Sequence, residues 1–207
     1  MTSPRMRGPG ILAVLLVLSL VWRAPPEAHA WERPVFRFWE GIRANLREAK
    51  EDVPNEVVNR AEVDFFKDQK WTVLPFFESR VDVDDGEWSR VEAGGEFGVH
   101  LFPWFYLGNG IQQAWLHPDD DRSEWEVRTV LSWPLPLAVR SEKLSLYALN
   151  EWTFDIDKGE GQRNEVGVGF RIPLPWKPFS SQLGWRHVDI IHDSDMDQFE
   201  GSLRADF

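Results

Sequence analysis

Residues 199–207 read FEGSLRADF. Phe199, Gly201, Leu203, Ala205 and Phe207 are apolar or small and alternate with Gln198, Glu200, Ser202, Arg204 and Asp206, so a strict period of two runs to the last residue. A strand with one apolar face at a chain end must cover that face against something other than water, because an uncovered terminus frays.

The opposite end suggests what the cover would be. Residues 1–30, MTSPRMRGPGILAVLLVLSLVWRAPPEAHA, place Arg5 and Arg7 before an apolar run over residues 11–22 and finish on Ala28-His29-Ala30, a small-x-small cleavage site. Together these features predict a secretory signal peptide; the apolar run is too short to cross a bilayer comfortably. The absence of cysteine removes a lipid-modified N-terminal cysteine, a disulfide framework and thiolate metal sites. The formal net charge is −11, which argues against nucleic acid as a partner. After residue 30 no apolar run is long enough for a membrane helix, so a membrane location would require a barrel.

From Trp71 onward the alternation recurs in eight segments, approximately 71–83, 88–101, 105–117, 124–133, 144–156, 162–172, 179–191 and 198–207. In the second, Val91, Ala93, Phe97, Val99 and Leu101 oppose Arg90, Glu92, Glu96 and His100. The connections alternate as well. DDGE, PDDDRS, DKGEG and HDSDMDQ are acidic, whereas FPW, WPLPLAVRSEK and IPLPWKPF are rich in proline and aromatics. Aromatic residues follow the same division: Trp71, Trp104, Trp133, Trp176 and Phe207 gather toward the proline end, and Trp88, Trp115, Trp125, Trp152 and Trp185 toward the acidic end. Rings sorted into two belts match the headgroup levels of a bilayer. A soluble β-sandwich or lipocalin-like barrel would share the alternation but would not sort its rings toward both strand ends.

A final alternating strand closing on Phe207 resembles the C-terminal signal of Gram-negative outer-membrane proteins, and this resemblance implies recognition of Phe207 by the barrel-assembly machinery, with periplasmic chaperones on the way. The stretches NEWTFDIDKGEGQRNEVGVGFRIP and QLGWRHVDIIHDSD resemble the last half of a family of small uncharacterised outer-membrane barrels, a domain-of-unknown-function family. Glu151, Arg163, Asn164, Gly167, Gly169, Gly184 and Trp185 carry that likeness, although Arg163-Asn164 stands where the family pattern has Asn-Arg. The resemblance implies fold and location, and no reaction.

The expected architecture is therefore all-β: an eight-stranded antiparallel transmembrane β-barrel over residues 71–207, preceded by a signal peptide (1–30) and an amphipathic helical segment (31–70). The helix rests on Val35, Trp39, Ile42, Leu46, Ala49 and Val53 at spacings of four and three, with Arg43, Arg47, Glu48, Lys50 and Glu51 opposite. A second short helix could follow in EVVNRAEVDFF. The helix could lie on the inner headgroup surface, as in the outer-membrane palmitoyltransferase family, plug the lumen, or bind a periplasmic partner.

Inside such a barrel the register places Glu78, Glu92, Glu96, Glu126, Glu151, Glu165 and Glu200 against Arg80, Arg90, Arg128, Arg163, Arg171, Arg186 and Arg204. Equal numbers of acids and guanidinium groups favour a salt-bridge ladder over a catalytic dyad. On the acidic rim, a divalent cation, Ca²⁺ or Mg²⁺, could bridge loop carboxylates to lipopolysaccharide phosphates; no loop has the full spacing of a dedicated calcium site, and no other cofactor is expected. His192, Ser194 and Asp193 form the one catalytic alternative, a rim triad for an outer-leaflet lipid-A hydrolase or acyltransferase, without a recognisable lipase motif. His117 and His192 could share a metal only if loops folded over the barrel mouth. The expected role is that of an outer-membrane barrel, non-enzymatic, with a structural, adhesive or lipid-binding function; the lipid enzyme and a narrow uptake pore are the rivals.

Overall fold

The structure, a computed structural model, describes residues 34–46, 55–66, 70–117, 121–139, 142–191 and 195–207. Ten strands run through them: β1 (Val35–Asn45), β2 (Glu56–Asp64), β3 (Trp71–Asp82), β4 (Trp88–Phe102), β5 (Phe105–Leu116), β6 (Arg122–Val139), β7 (Glu142–Asp155), β8 (Glu160–Pro173), β9 (Phe179–Ile190) and β10 (Met196–Asp206). Each pairs antiparallel with its chain neighbours, and β1 pairs with β10 to close the barrel. Closure leaves no sheet edge, so no row of backbone donors and acceptors lacks a partner strand.

The expected eight strands and N-terminal helix are thus corrected: there are ten strands, and among the described residues no helix. The segment assigned to the helix supplies β1 and β2. Its apparent helical spacing came from joining residues of two opposite strand faces. Phe38 and Ile42 are exposed on the outer wall, while Trp39 and Arg43 turn inward, Trp39 donating from Nε1 to the Ser202 hydroxyl at 2.7 Å. Glu40, a polar residue on the outer face, broke the alternation that would have revealed the strand. Ala49 and Val53, the rest of that stripe, lie outside the described residues, as does the signal peptide.

Strands β3 to β10 occupy the stretch in which eight were expected. β6 is longer than its segment and runs through the Pro134–Pro136 region, where its register with β7 is irregular between Pro134 and Ala138. At the acidic end two tight turns depend on a left-handed glycine, Gly86 at φ 71° and Gly159 at φ 70°. Their N–H groups donate to the Asp82 and Asp155 carbonyls at 3.0 and 2.9 Å, and a side chain at either position would be strained.

Polarity is inverted relative to a water-soluble domain. Ile111 and Phe97 on the outer face are 62% and 55% exposed, whereas Glu124 and Glu165 on the inner face are 1% and 2% exposed. A one-residue slip of any strand would exchange the two sets, so the register is held by both faces at once.

Phe207 completes the seam. Its N–H donates to the Phe36 carbonyl at 2.8 Å, its carbonyl accepts from Phe36 N–H at 3.0 Å, and its ring meets Phe38 edge-on at 6.2 Å. A chain beginning at Trp71 would leave β3 and β10 as open edges, and it is expected to give no heat-modifiable barrel on gel electrophoresis. Phe207→Asp in the full chain should lower the folded yield; unchanged yield and migration for both variants would contradict a seam built from β1 and β10.

Candidate functional site

The lumen is the candidate site, and period two along each strand builds it. Two inward side chains separated by one residue stand on the same face as immediate neighbours. Seven strand pairs use this spacing for opposite charges: Arg60 with Glu62, Glu78 with Arg80, Arg90 with Glu92, Arg122 with Glu124, Glu126 with Arg128, Arg163 with Glu165, and Arg204 with Asp206. Straight across the β3–β4 ladder the register sets like against like, Glu78 opposite Glu92 and Arg80 opposite Arg90. Directly opposed like charges repel, so the attractions run along the strand and on the diagonal, where Arg80 reaches Glu92 at 3.5 Å.

Longer links tie these pairs into one network. Arg128 on β6 bonds Glu96 on β4 across β5, and Tyr106 donates its hydroxyl to the same carboxylate. Gly108 makes room for this crossing, since a Cβ there would lie 2.6 Å from the Glu96 carboxyl carbon. Arg90 likewise spans β5 to Glu124, which also accepts from Gln112 Nε2 at 2.8 Å. Arg186 joins Glu165 to Glu200, and Arg43 approaches Glu200 at 3.6 Å. Arg60 bonds Glu62 at 3.1 Å and Glu78 at 3.3 Å with its guanidinium 4.1 Å above the Phe76 ring.

All fourteen residues assigned to the ladder from sequence lie on strands β3 to β10. Twelve of them make an ion pair within 4 Å. Glu151 and Arg171 make none among the described residues; Glu151 stands in register with Arg128, and Arg171 donates from Nε and Nη2, each at 2.9 Å, to the Gln182 amide oxygen, with that amide turned to face it. Arg37, Arg43, Arg60 and Glu62 escape the sequence pattern because β1 and β2 carry an apparent helical spacing, and Arg122 and Glu124 escape it at the edge of a segment. Arg-x-Glu at 60/62 and 122/124 was the signal available for four of these six.

Two cavities lie in the lumen beside this network. One, of about 160 Å³, opens among Arg37, Tyr147, Arg171, Gln182 and Arg204 toward the end holding the chain terminus. The other, of about 290 Å³, lies among Glu56, Arg90, Arg122, Glu124 and Gln162 toward the acidic turns. Arg43 and Arg80 border both, and so form the partition.

On the acidic rim several carboxylates serve the turns themselves. Asp155 Oδ1 accepts from the N–H groups of Asp157 and Lys158 at 2.9 Å, and Asp82 Oδ1 accepts from Asp84 N–H at 2.7 Å. His187 contacts Asp197 through Nδ1 at 3.1 Å and His117 packs on Trp88, while His192, Asp193 and Ser194 lie outside the described residues. Among the described residues no group of three or more histidine or acidic side chains has the geometry to hold a metal ion. At the proline end Lys177 pairs with Glu142 at 2.8 Å, and that hydrogen bond and attraction hold its ammonium above the usual lysine pKa.

No known sequence family matches the chain, and no curated protein matches it significantly. Solved structures similar in fold include a NanC porin, at 8% identity over 81% of this chain and 98% of that one, with a TM-score of 0.44. The translocator domain of the autotransporter NalP from Neisseria meningitidis is similar at 9% identity over 96% of each chain, with a TM-score of 0.47. The transport unit of the autotransporter AIDA-I from Escherichia coli matches at 11% identity over 94% of this chain and 96% of that one, with a TM-score of 0.37. The likeness is one of barrel architecture alone.

Two arginine deletions should behave differently. Arg128→Ala leaves Glu96 and Glu126 buried beside each other without their cation, at a cost of about 3 kcal/mol. Arg171→Ala strands no carboxylate and should cost less than about 1.5 kcal/mol. Urea unfolding in detergent micelles measures both; equal losses would contradict this division.

Proposed function

We propose that the chain is an outer-membrane β-barrel with a structural, lipid-contacting role and a lumen closed by its own side chains. The observation that carries this reading is the inverted polarity of the wall: apolar side chains outside, paired charges inside. An eleven-residue strand such as β1 or β10, rising about 3.3 Å per residue and tilted about 40°, covers roughly 28 Å, enough for an apolar belt about 25 Å tall. Exposed rings stand at both borders of that belt. Trp71, Phe102, Trp104, Trp133 and Phe207 mark one, and Trp125, Trp152 and Trp185 the other, with Trp125 stacked on Phe154 at 5.0 Å.

Orientation follows from the turns. The chain terminus lies with the short connections Pro103-Trp104 and 174–178, which suit the periplasmic side. The acidic turns then meet lipopolysaccharide. Carboxylates that no turn consumes, such as Asp85, are the ones to share a divalent cation with lipid phosphates. A periplasmic Phe207 fits the reading of this residue as the signal for the barrel-assembly machinery.

Closure separates this role from that of a pore. The partition consists of Arg43 and Arg80, held by Glu200, Glu78 and Glu92. In planar bilayers the purified protein is expected to show no stable conductance. The double variant Arg43→Ala/Arg80→Ala should join the cavities and conduct. Stable steps in the unmodified protein would replace this reading with that of a narrow uptake pore.

A further inference from the structure

We propose that the lumen cavity on the chain-terminus side binds a small water-soluble oxyanion, a carboxylate or phosphate, on the guanidinium of Arg171. Ten other arginines are described in the lumen: Arg37, Arg43, Arg60, Arg80, Arg90, Arg122, Arg128, Arg163, Arg186 and Arg204. Every one of them has a carboxylate within 4 Å. Arg171 alone among the described lumen arginines does not. Its one hydrogen-bond partner among the described residues is the neutral oxygen of Gln182, which holds the guanidinium through Nε and Nη2, and Arg171 lines the cavity. A guanidinium has five donors in a planar fork, the geometry that carboxylate and phosphate oxygens fit.

The surroundings favour an anion. Eight arginines and six glutamates line this cavity, an excess of positive charge within a chain whose net charge is −11. Arg204 and Arg37 bring positive charge close to Arg171, which the Asp206 carboxylate offsets in part. Tyr147 lines the same cavity, with its hydroxyl over Gly169 and Gly184. A volume of about 160 Å³ admits an ion of phosphate size with a few waters, and falls below the roughly 300 Å³ typical of sites for larger organic ligands. A cation drawn out of bulk water without a counter-charge is costly, and a bound oxyanion removes that cost.

Gln182 provides a test specific to this site. The substitution Gln182→Glu would set a carboxylate against Arg171 at the position the amide oxygen now holds, supplying internally the charge that the ligand would bring. The full barrel, folded in a nonionic detergent at low chloride, is titrated with sodium phosphate and separately with sodium acetate, and binding is read by calorimetry. Saturable binding of at least one anion is expected for the unmodified protein. Arg171→Gln should weaken it by about tenfold or more, the loss of one charge-assisted bidentate contact. Gln182→Glu should abolish it while heat-modifiable migration stays intact. Absence of saturable binding to either anion, or binding that survives Gln182→Glu in the folded barrel, overturns the proposal. Should Arg171→Gln fail to fold, the Gln182→Glu comparison decides alone.

Discussion

The structure depends on the mutual neutralisation of charges inside a ring that has room for little else. A closed sheet with apolar residues on its outer wall must send the other half of its residues inward, because successive side chains point to opposite faces. Arginine and glutamate fill that space here, and each such ion loses water on entering it. Only pairing restores the loss, and a buried pair contributes little net stability while a broken one is expensive. The barrel is therefore more sensitive to losing one member of the network than it is stabilised by having the network at all.

Geometry decides how the pairing is achieved. Residues two apart on one strand face the same way, so Arg-x-Glu and Glu-x-Arg pairs neutralise themselves before any neighbouring strand arrives. Across the ladder the same register brings Glu78 against Glu92 and Arg80 against Arg90, and only diagonal and two-strand links turn these repulsions into a connected network. The two-strand links need a thin wall between them. Gly108 on β5 provides it for Arg128 and Glu96, and a side chain there would separate that pair. A residue with no charge thus sets the reach of two that have it.

The same physics explains what could be read from the sequence. Strands β3 to β10 were legible because most of their outer residues are apolar and most of their inner ones charged or polar, which produces alternation. β1 and β2 were not, because Glu40 and Asn59 interrupt their outer faces while Trp39 and Val58 occupy their inner ones. Counting apolar residues alone then yields a spacing of four and three. Counting opposite charges at a spacing of two would have found β2, through Arg60 and Glu62, before any hydrophobic pattern did. The candidate site was legible as a set of inward charges and illegible as a set of partners, since Gln182, the neighbour of Arg171, carries no charge to attract notice. Nor could the partition by Arg43 be read, because it depends on β1 being part of the wall.

The terminal alternation of FEGSLRADF acquires its physical reason from the same seam. β10 has β9 on one side, and it would be an open edge on the other were β1 not there. β1 comes from the far end of the barrel-forming sequence, so the seam from Phe36 with Phe207 through Asn45 with Gln198 is the strand pairing of greatest sequence separation among the described residues. It cannot form until every intervening hairpin has brought the ends together, because loop-closure entropy must be met first. Charge completes the same step. Glu200 and Asp206 already have Arg186 and Arg204 on β9 and β10, but the Arg43 pair with Glu200 forms only across this seam, so the last backbone ladder to form also gives Arg43 its carboxylate. Closure of the ring and the pairing of Arg43 are therefore one event, and an arrested barrel would expose an unpaired edge together with that cation.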